Sequence, residues 1–405
     1  MYIDKNILIL SGGREAVEGI IAAKRMGIKT IVCDGNKDAS GKFYADEFIV
    51  GNIYDPDEIV DVISKYSKRN TIDGVITIAS DAVRSVAAVA EYLNLPLNKM
   101  ETAIISTDKL KMKECFREHS ILIPKFTAID NEIELIDKMK NFKNAVLKPV
   151  DSRGSRGVIR LNKSSDLKKW YEYSVKFSQS RRLILEEWLS GPQISTESLV
   201  IDGKTYLCGI ADRNYSNLSK TFPFLVEDGG ETPSKHYPEI KDKIQQVLDK
   251  TAKALGLKNG VLKGDVVLKN NIPYIIEVAT RLSGGFFSTI TIPLVYHINL
   301  VEKAILLALG MKIDPPSQLL KHYCYQAQRF FFPQPGIVKK ISKPNHKKLP
   351  KYVKYFELNV RVGESIGTIE NHPMRKGSVL VSGTSRKQAI ERATRLIKQV
   401  KIVTR

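Results

Sequence analysis

The 405-residue chain is 43% hydrophobic and 26% charged, proportions that suit a globular protein of two to four structural units at roughly 100–200 residues each. Membrane-spanning helices are excluded, because no stretch reaches the roughly 18 uncharged apolar residues one needs, and Glu302 and Lys303 break the most apolar run, residues 298–309. The net charge of +19 is uneven: residues 321–405 hold 19 Lys or Arg against Glu357, Glu364, Glu370 and Glu391, so +15 of it resides there.

The opening MYIDKNILIL lacks a basic region followed by a long apolar core, so it reads as a first strand and not as a secretory signal. Residues 6–10 are the strand proper, followed by Ser11-Gly12-Gly13 and an amphipathic helix with Ala16, Val17, Ile20, Ile21 and Ala23 on its apolar side. Gly27 closes that helix and residues 30–34 form the next strand, a unit that predicts a right-handed parallel crossover. A dinucleotide site does not follow: SGGREAVEG lacks G-x-G-x-x-G, and Asp34, where a ribose-binding acid would stand, is weak support alone. Residues 48–50 and 74–79 add strands, Ser80-Asp81 reads as the cap of a helix running to Leu93, and Asn94-Leu95-Pro96 ends this α/β lobe.

In the next segment Thr107 or Asp108 can cap a helix through Glu118, and residues 121–124 break it. Residues 145–148 are a short strand ending in Lys148-Pro149, and the loop DSRGSRGV follows at residues 151–158. Gly154 and Gly157 let backbone amides approach an anion, and Ser152 and Ser155 add hydroxyl donors. The loop is not the phosphate loop G-x-x-x-x-G-K-[ST], and a flexible hairpin tip is the plain alternative; a lysine ending the strand before it favours phosphate. The strand LILEEWL, residues 183–189, carries Glu186 and Glu187 on opposite faces, so at least one should face a lined pocket. Residues 194–201 alternate, with Glu197 inside, and residues 213–234 show no period, which marks a functional or mobile loop.

Residues 260–285, GVLKGDVVLKNNIPYIIEVATRLSGG, hold two Val/Ile/Leu-rich runs around a Lys-Asn-Asn-Ile-Pro turn, a hairpin signature. Alternation lets Asp265 and Glu277 face the same side of neighbouring strands, an arrangement costly without a cation between them. Oxygen ligands of this kind suit Mg²⁺, completed by water and phosphates. Arg281 and Gly284-Gly285 then offer a cation and bare backbone to an anion. Two solvated acids on a surface hairpin remain the alternative.

The four cysteines, Cys33, Cys115, Cys208 and Cys324, are scattered in apolar contexts and read as reduced thiols, so a cytoplasmic protein is expected. The basic C-terminal stretch attracts anions, but it carries no nucleic-acid motif, which disfavours nucleic acid as a partner.

These pieces, in this order, resemble the ATP-grasp superfamily. The matching motifs are TDK ending at Lys109, VLKP with Lys148, SRGSRGV, LILEEWLSGP with STE, and GD followed by YIIEVATRLSGG, over roughly residues 100–310. The amino-acid ligase branch looks nearest. The resemblance implies an α/β fold with an N-terminal parallel pre-ATP-grasp lobe (1–98), an ATP-grasp domain (99–315) and a small β-rich, basic C-terminal lobe (316–405). It implies ATP with Mg²⁺, or Mn²⁺ in its place. Lys109 and Lys148 would meet the phosphates under a lid of Ser152, Gly154, Ser155 and Gly157; Glu186 would hold the adenine amino group; Glu187 and Leu189 would line the base; Glu197 would meet the ribose. Asp265 and Glu277 would ligate the metal, and Arg281 would bind the carboxylate or the transferring phosphate. Many members carry Asn where Ala279 stands, a departure shared with some amino-acid ligases that removes an oxygen ligand. The activity implied is a carboxylate–amine ligase working through an acyl phosphate on small, in part anionic, substrates, with a homodimer left open. A carboxylase or carbamoyl-phosphate-synthase-like enzyme on the same fold, and a non-catalytic nucleic-acid binder, are the alternatives.

Overall fold

The computed structural model describes residues 4–317 and 319–405; Met1–Ile3, part of the stretch expected to open the first strand, and Gln318 lie outside the described residues. The strands Asn6–Ile9, Lys29–Asp34, Glu47–Val50 and Gly74–Ile76 make a parallel sheet in the order third, second, first, fourth. Ile7, Leu8, Ile9, Ile31 and Val32 are fully buried because the sheet is covered on both faces. Asp34 turns inward: its Oδ2 accepts from the Gly12 amide at 2.7 Å and its Oδ1 from Asn36 at 2.9 Å, bracing the glycine turn. Ser80-Asp81 does not cap the following helix. Val83–Tyr92 has Ala82 at its N-cap with no side-chain bond, and Asp81 pairs instead with a distant arginine.

An antiparallel sheet follows, in the order Phe126–Ile129, Leu183–Glu187, Asn144–Pro149, Ile159–Asn162. Leu147, Leu161, Leu183 and Leu185 pack beneath it with Leu135 and Met139 of the helix Glu132–Met139.

The largest sheet has eight strands, ordered Ile272–Ala279, Gly260–Lys269, Gln193–Ile201, Lys204–Asn214, Gly229–Thr232, Tyr325–Phe330, Gly377–Gly383, Val353–Leu358. It runs unbroken from the hairpin into the C-terminal residues. The helix Tyr237–Ala254 lays Ile240, Ile244, Val247 and Leu248 on this sheet, a stripe at helical spacing. The stretch 213–234, which shows no period, contributes the fifth strand. A Cβ on Gly229 would stand 2.3 Å from the Gln328 carbonyl oxygen, and one on Gly230 would stand 2.6 Å from that of Asp212. Close strand approach demands glycine there, and glycine hides the strand pattern.

Candidate functional site

The hairpin turns through Asn270 and Asn271, both at positive φ of 54° and 57°, as the tight two-residue turn that matches strand twist requires. Its register sets Asp265 opposite Glu277. Asp265 is enclosed by cations: Arg213 Nη1 lies 3.0 Å from Oδ1, Lys263 pairs with Oδ2, and Ser195 donates to Oδ1 at 3.0 Å. Burial alone would raise its carboxyl, but Arg213 and Lys263 outweigh that and hold it far below the usual range. Glu277 is freer, with 38% of its side chain exposed and, among the described residues, a single ion pair, to Lys109 at 3.4 Å.

Asp108 caps the helix Lys109–Glu118 by accepting from the Leu110 and Lys111 amides, and it binds Arg182 at 2.5 Å. This fixes Lys109, whose ammonium donates to the Ser152 carbonyl at 2.5 Å. One turn on, Lys113 is fully buried and donates to the Ile275 carbonyl at 3.1 Å. Its burial lowers its pKa to about 8 against the pull of Glu186. Lys148 reaches Glu186 Oε2 at 2.8 Å and Lys113 lies 3.7 Å from the same oxygen. Burial would raise Glu186, yet Lys113 and Lys148 together lower it. Its other oxygen, Oε1, is buried without a partner.

The loop after Lys148 lies against the C-terminal residues. Gly154 and Gly157 hold φ of +63° and +72°, and the Gly154 carbonyl accepts from the His372 amide at 3.0 Å. Ser155 Oγ stands 3.4 Å from His372 Nε2, which also accepts from the Glu227 amide at 3.3 Å. Burial first, then Arg375 and Arg213, push His372 well below its ordinary value, so it is neutral. On the other side the Arg153 guanidinium sits over Tyr54 of the parallel lobe, 3.6 Å from the ring centre.

These walls enclose a cavity of about 970 Å³. Lys109, Lys148, Ser152, Gly154, Ser155, Asp265, Glu277 and Arg281 all line it. Gly157, Glu186, Glu187, Leu189 and Glu197 do not. Gly157 packs inward, Leu189 is 5% exposed, and Glu187 faces Lys269 at 3.7 Å. Glu197 is fully buried; its Oε1 accepts from the Ser283 amide at 2.8 Å and from Ser288 Oγ at 3.0 Å, tying the Arg281–Gly285 turn to the sheet. Arg281 grips Asp81 of the parallel lobe through Nε and Nη2 at 3.0 and 2.8 Å, and its Nη1 donates to the Leu282 carbonyl at 3.2 Å.

Sequence reading missed Lys113, although it stands four positions after Lys109 on one helix face. It also missed Glu15, Arg213, His372 and Arg375, whose neighbours are distant in sequence. Asp265 and Glu277 offer, from paired strands, carboxylate oxygens of the kind a hard cation takes, but among the described residues no group of three His, Cys, Asp or Glu is gathered to hold a metal. Water and phosphate would supply the other ligands.

Residues 106–285 match the ATP-grasp domain model, 20–97 the ATP-grasp N-terminal domain, and 329–405 the L-amino acid ligase C-terminal domain 2. A formate-dependent phosphoribosylglycinamide formyltransferase of Prochlorococcus marinus is 26% identical over 259 residues, 62% of this chain and 64% of its own length. An alanine–anticapsin ligase of Bacillus subtilis is 22% identical over 315 residues, 69% of this chain and 63% of its own. The chain thus spans under two thirds of each of these curated relatives. The crystal structure of an L-amino acid ligase from Bacillus licheniformis matches with a TM-score of 0.84 at 21% identity over 100% of both chains, a shared fold. Among the described residues no helix is long and apolar enough to cross a membrane.

Proposed function

This chain belongs to the ATP-grasp superfamily, and we propose that it is an ATP-dependent carboxylate–amine ligase working through an acyl phosphate. The observation that carries the reading is the meeting, in one cavity, of Lys109, Lys148 and the glycine loop with Asp265, Glu277 and Arg281. A carboxylate is a poor electrophile until one oxygen becomes part of a phosphate leaving group. The protein's task is therefore positioning and charge neutralisation.

Lys109 and Lys148 reach the cavity from two subdomains and hold the phosphates between them. The loop from Ser152 to Gly157, pinned at His372 and Tyr54, closes over them and excludes water that would hydrolyse the activated acid. Arg281, held rigid by Asp81, steadies the carboxylate or the moving phosphate. The partnerless Glu186 Oε1 supports placing a nucleobase amine beside it. Glu197 acts by bracing the turn that presents Arg281. Asp265 and Glu277 would hold Mg²⁺, which supplies charge neutralisation to the phosphates when bound. Lys263 and Arg213 would give up part of their hold on Asp265 to admit it.

The test is phosphate release from ATP across a matrix of carboxylates, including amino acids, formate and bicarbonate, with and without amines. Release that needs both an acid and an amine, matched by amide product, supports the ligase. Release with bicarbonate alone would replace it with a carboxylase.

A further inference from the structure

Lys113 is more enclosed than either lysine of the cavity wall. It is 1% exposed, against 8% for Lys109 and 7% for Lys148. Lys148 lines the cavity, whereas Lys113 and Glu186 lie behind its wall. Taking a cation this far out of water is costly, and an apolar side chain of similar volume would fill the space without that penalty. A buried charge that the fold does not need for packing points to a task.

The position of Lys113 is fixed from two sides. Its Nζ donates to the Ile275 carbonyl at 3.1 Å. Ile275 stands at a bulge, since the register passes from Asp265 opposite Glu277 to Val266 opposite Ile275 and leaves Ile276 as the extra residue. From there Nζ lies 3.7 Å from Glu186 Oε2, the oxygen that Lys148 holds at 2.8 Å. The charges that face Lys113 are Glu186, Lys148 and Glu277, with Lys109 one turn earlier on its own helix. Glu186, 2% exposed, therefore has one cation in the cavity wall and another behind it. Burial would raise its carboxyl, and of the cations that lower it Lys113 acts most strongly.

A bound nucleotide sets a second anion before Lys148. One ammonium cannot neutralise both a phosphate and Glu186, and a buried carboxylate that loses its counter-ion is strongly unfavourable. We propose that Lys113 is a positioning residue that keeps Glu186 ionised and in place while Lys148 turns its charge to the phosphates. The proposal rests on Lys148 serving the phosphates of the bound nucleotide. A small turn of the Lys113 side chain closes its 3.7 Å gap to hydrogen-bond distance, and Glu186 keeps its place beside the nucleobase.

The experiment measures the affinity of the full chain for ADP and for adenosine by calorimetry. Adenosine brings no anion to Lys148 and so serves as the control. Lys113→Met should weaken ADP on the order of tenfold or more, the effect of stranding a charged group, and should leave adenosine near its wild-type affinity. The double variant Lys113→Met with Glu186→Gln has no carboxylate to strand, and should recover the wild-type ratio of ADP to adenosine affinity. Equal loss of both ligands in Lys113→Met, or loss of neither, overturns the proposal, and so does a ratio that stays low in the double variant. The crystal structure of the wild type with ADP tests the same point should Lys113→Met not fold. It should show Lys148 on a phosphate oxygen and Lys113 at hydrogen-bond distance from Glu186. Lys148 on the phosphate with Lys113 no nearer to Glu186 overturns the proposal and leaves the nucleotide reading intact. ADP bound without contact to Lys148, or no ADP binding at all, overturns both.

Discussion

Asp265 and Glu277 face each other across two strands but sit in different electrostatic settings. Asp265 answers Arg213 and Lys263, while Glu277 is more than a third exposed. Glu277→Gln should therefore lower Mg²⁺-dependent ATP turnover by about a hundredfold with little change in melting. Asp265→Asn should lower turnover and also cost about 3 kcal/mol of stability, because Lys263 loses its counter-ion and Arg213 keeps only Glu227. Rates and urea unfolding of the two variants check this, and wild-type turnover in both would remove the metal reading. Lys113 gives a pH signature. Its folded pKa of about 8 lies below the ordinary 10.5, so between those values the unfolded chain binds the extra proton and stability rises with pH. Below pH 8 both states are charged and the burial penalty is fully present. Unfolding of wild type against Lys113→Met should show a stability difference that shifts in favour of wild type from pH 8 to 10.5; a flat difference contradicts it. Lys109 and Lys148 were readable because a cap and a strand end announce them. Arg213, His372 and Arg375 were not, since only tertiary packing brings Asp265 to Arg213, the glycine loop to His372 and Glu227 to Arg375.

The glycine loop and the hairpin show how far local chemistry carries. Asn-Asn between two apolar runs specifies the hairpin, and register then aligns the two acids. The strand Gly229–Thr232 escaped because its glycines answer backbone crowding and lack strand propensity. In the loop, the two glycines should behave differently. A Cβ at Gly157 would meet Pro149 Cγ at 2.8 Å and Phe177 Cβ at 3.0 Å, while one at Gly154 would meet Pro373 Cδ at 3.2 Å and the end of the Arg156 side chain at 3.9 Å. Gly157→Ala should cost about 2–4 kcal/mol, strain plus crowding. Gly154→Ala should leave melting within about 1–2 kcal/mol, the strain alone, and weaken nucleotide binding. Equal melting of the two variants would show that Gly157 is not packed as described.

Three sheets and their loops close on one cavity, and the C-terminal residues belong to it structurally. Arg386 binds Asp212 at 2.6 Å and Glu231 at 2.9 Å, and Arg329 binds Glu231 at 2.6 Å. Part of the basic excess thus clamps the central sheet together. Pro373 and His372 seat the glycine loop. The parallel lobe was readable from its strand–helix period. The eight-stranded sheet was not, because its order joins strands distant in sequence, pairing Gly229 with Arg329 and Gly260 with Val200. The account stands on the carboxylate being activated by phosphate transfer before the amine attacks. The most direct measurement uses an acid labelled with heavy oxygen in its carboxylate, together with ATP and the amine it is joined to. One labelled oxygen should appear in the released phosphate for every amide formed. Amide formation with no label in the phosphate would contradict the acyl-phosphate mechanism.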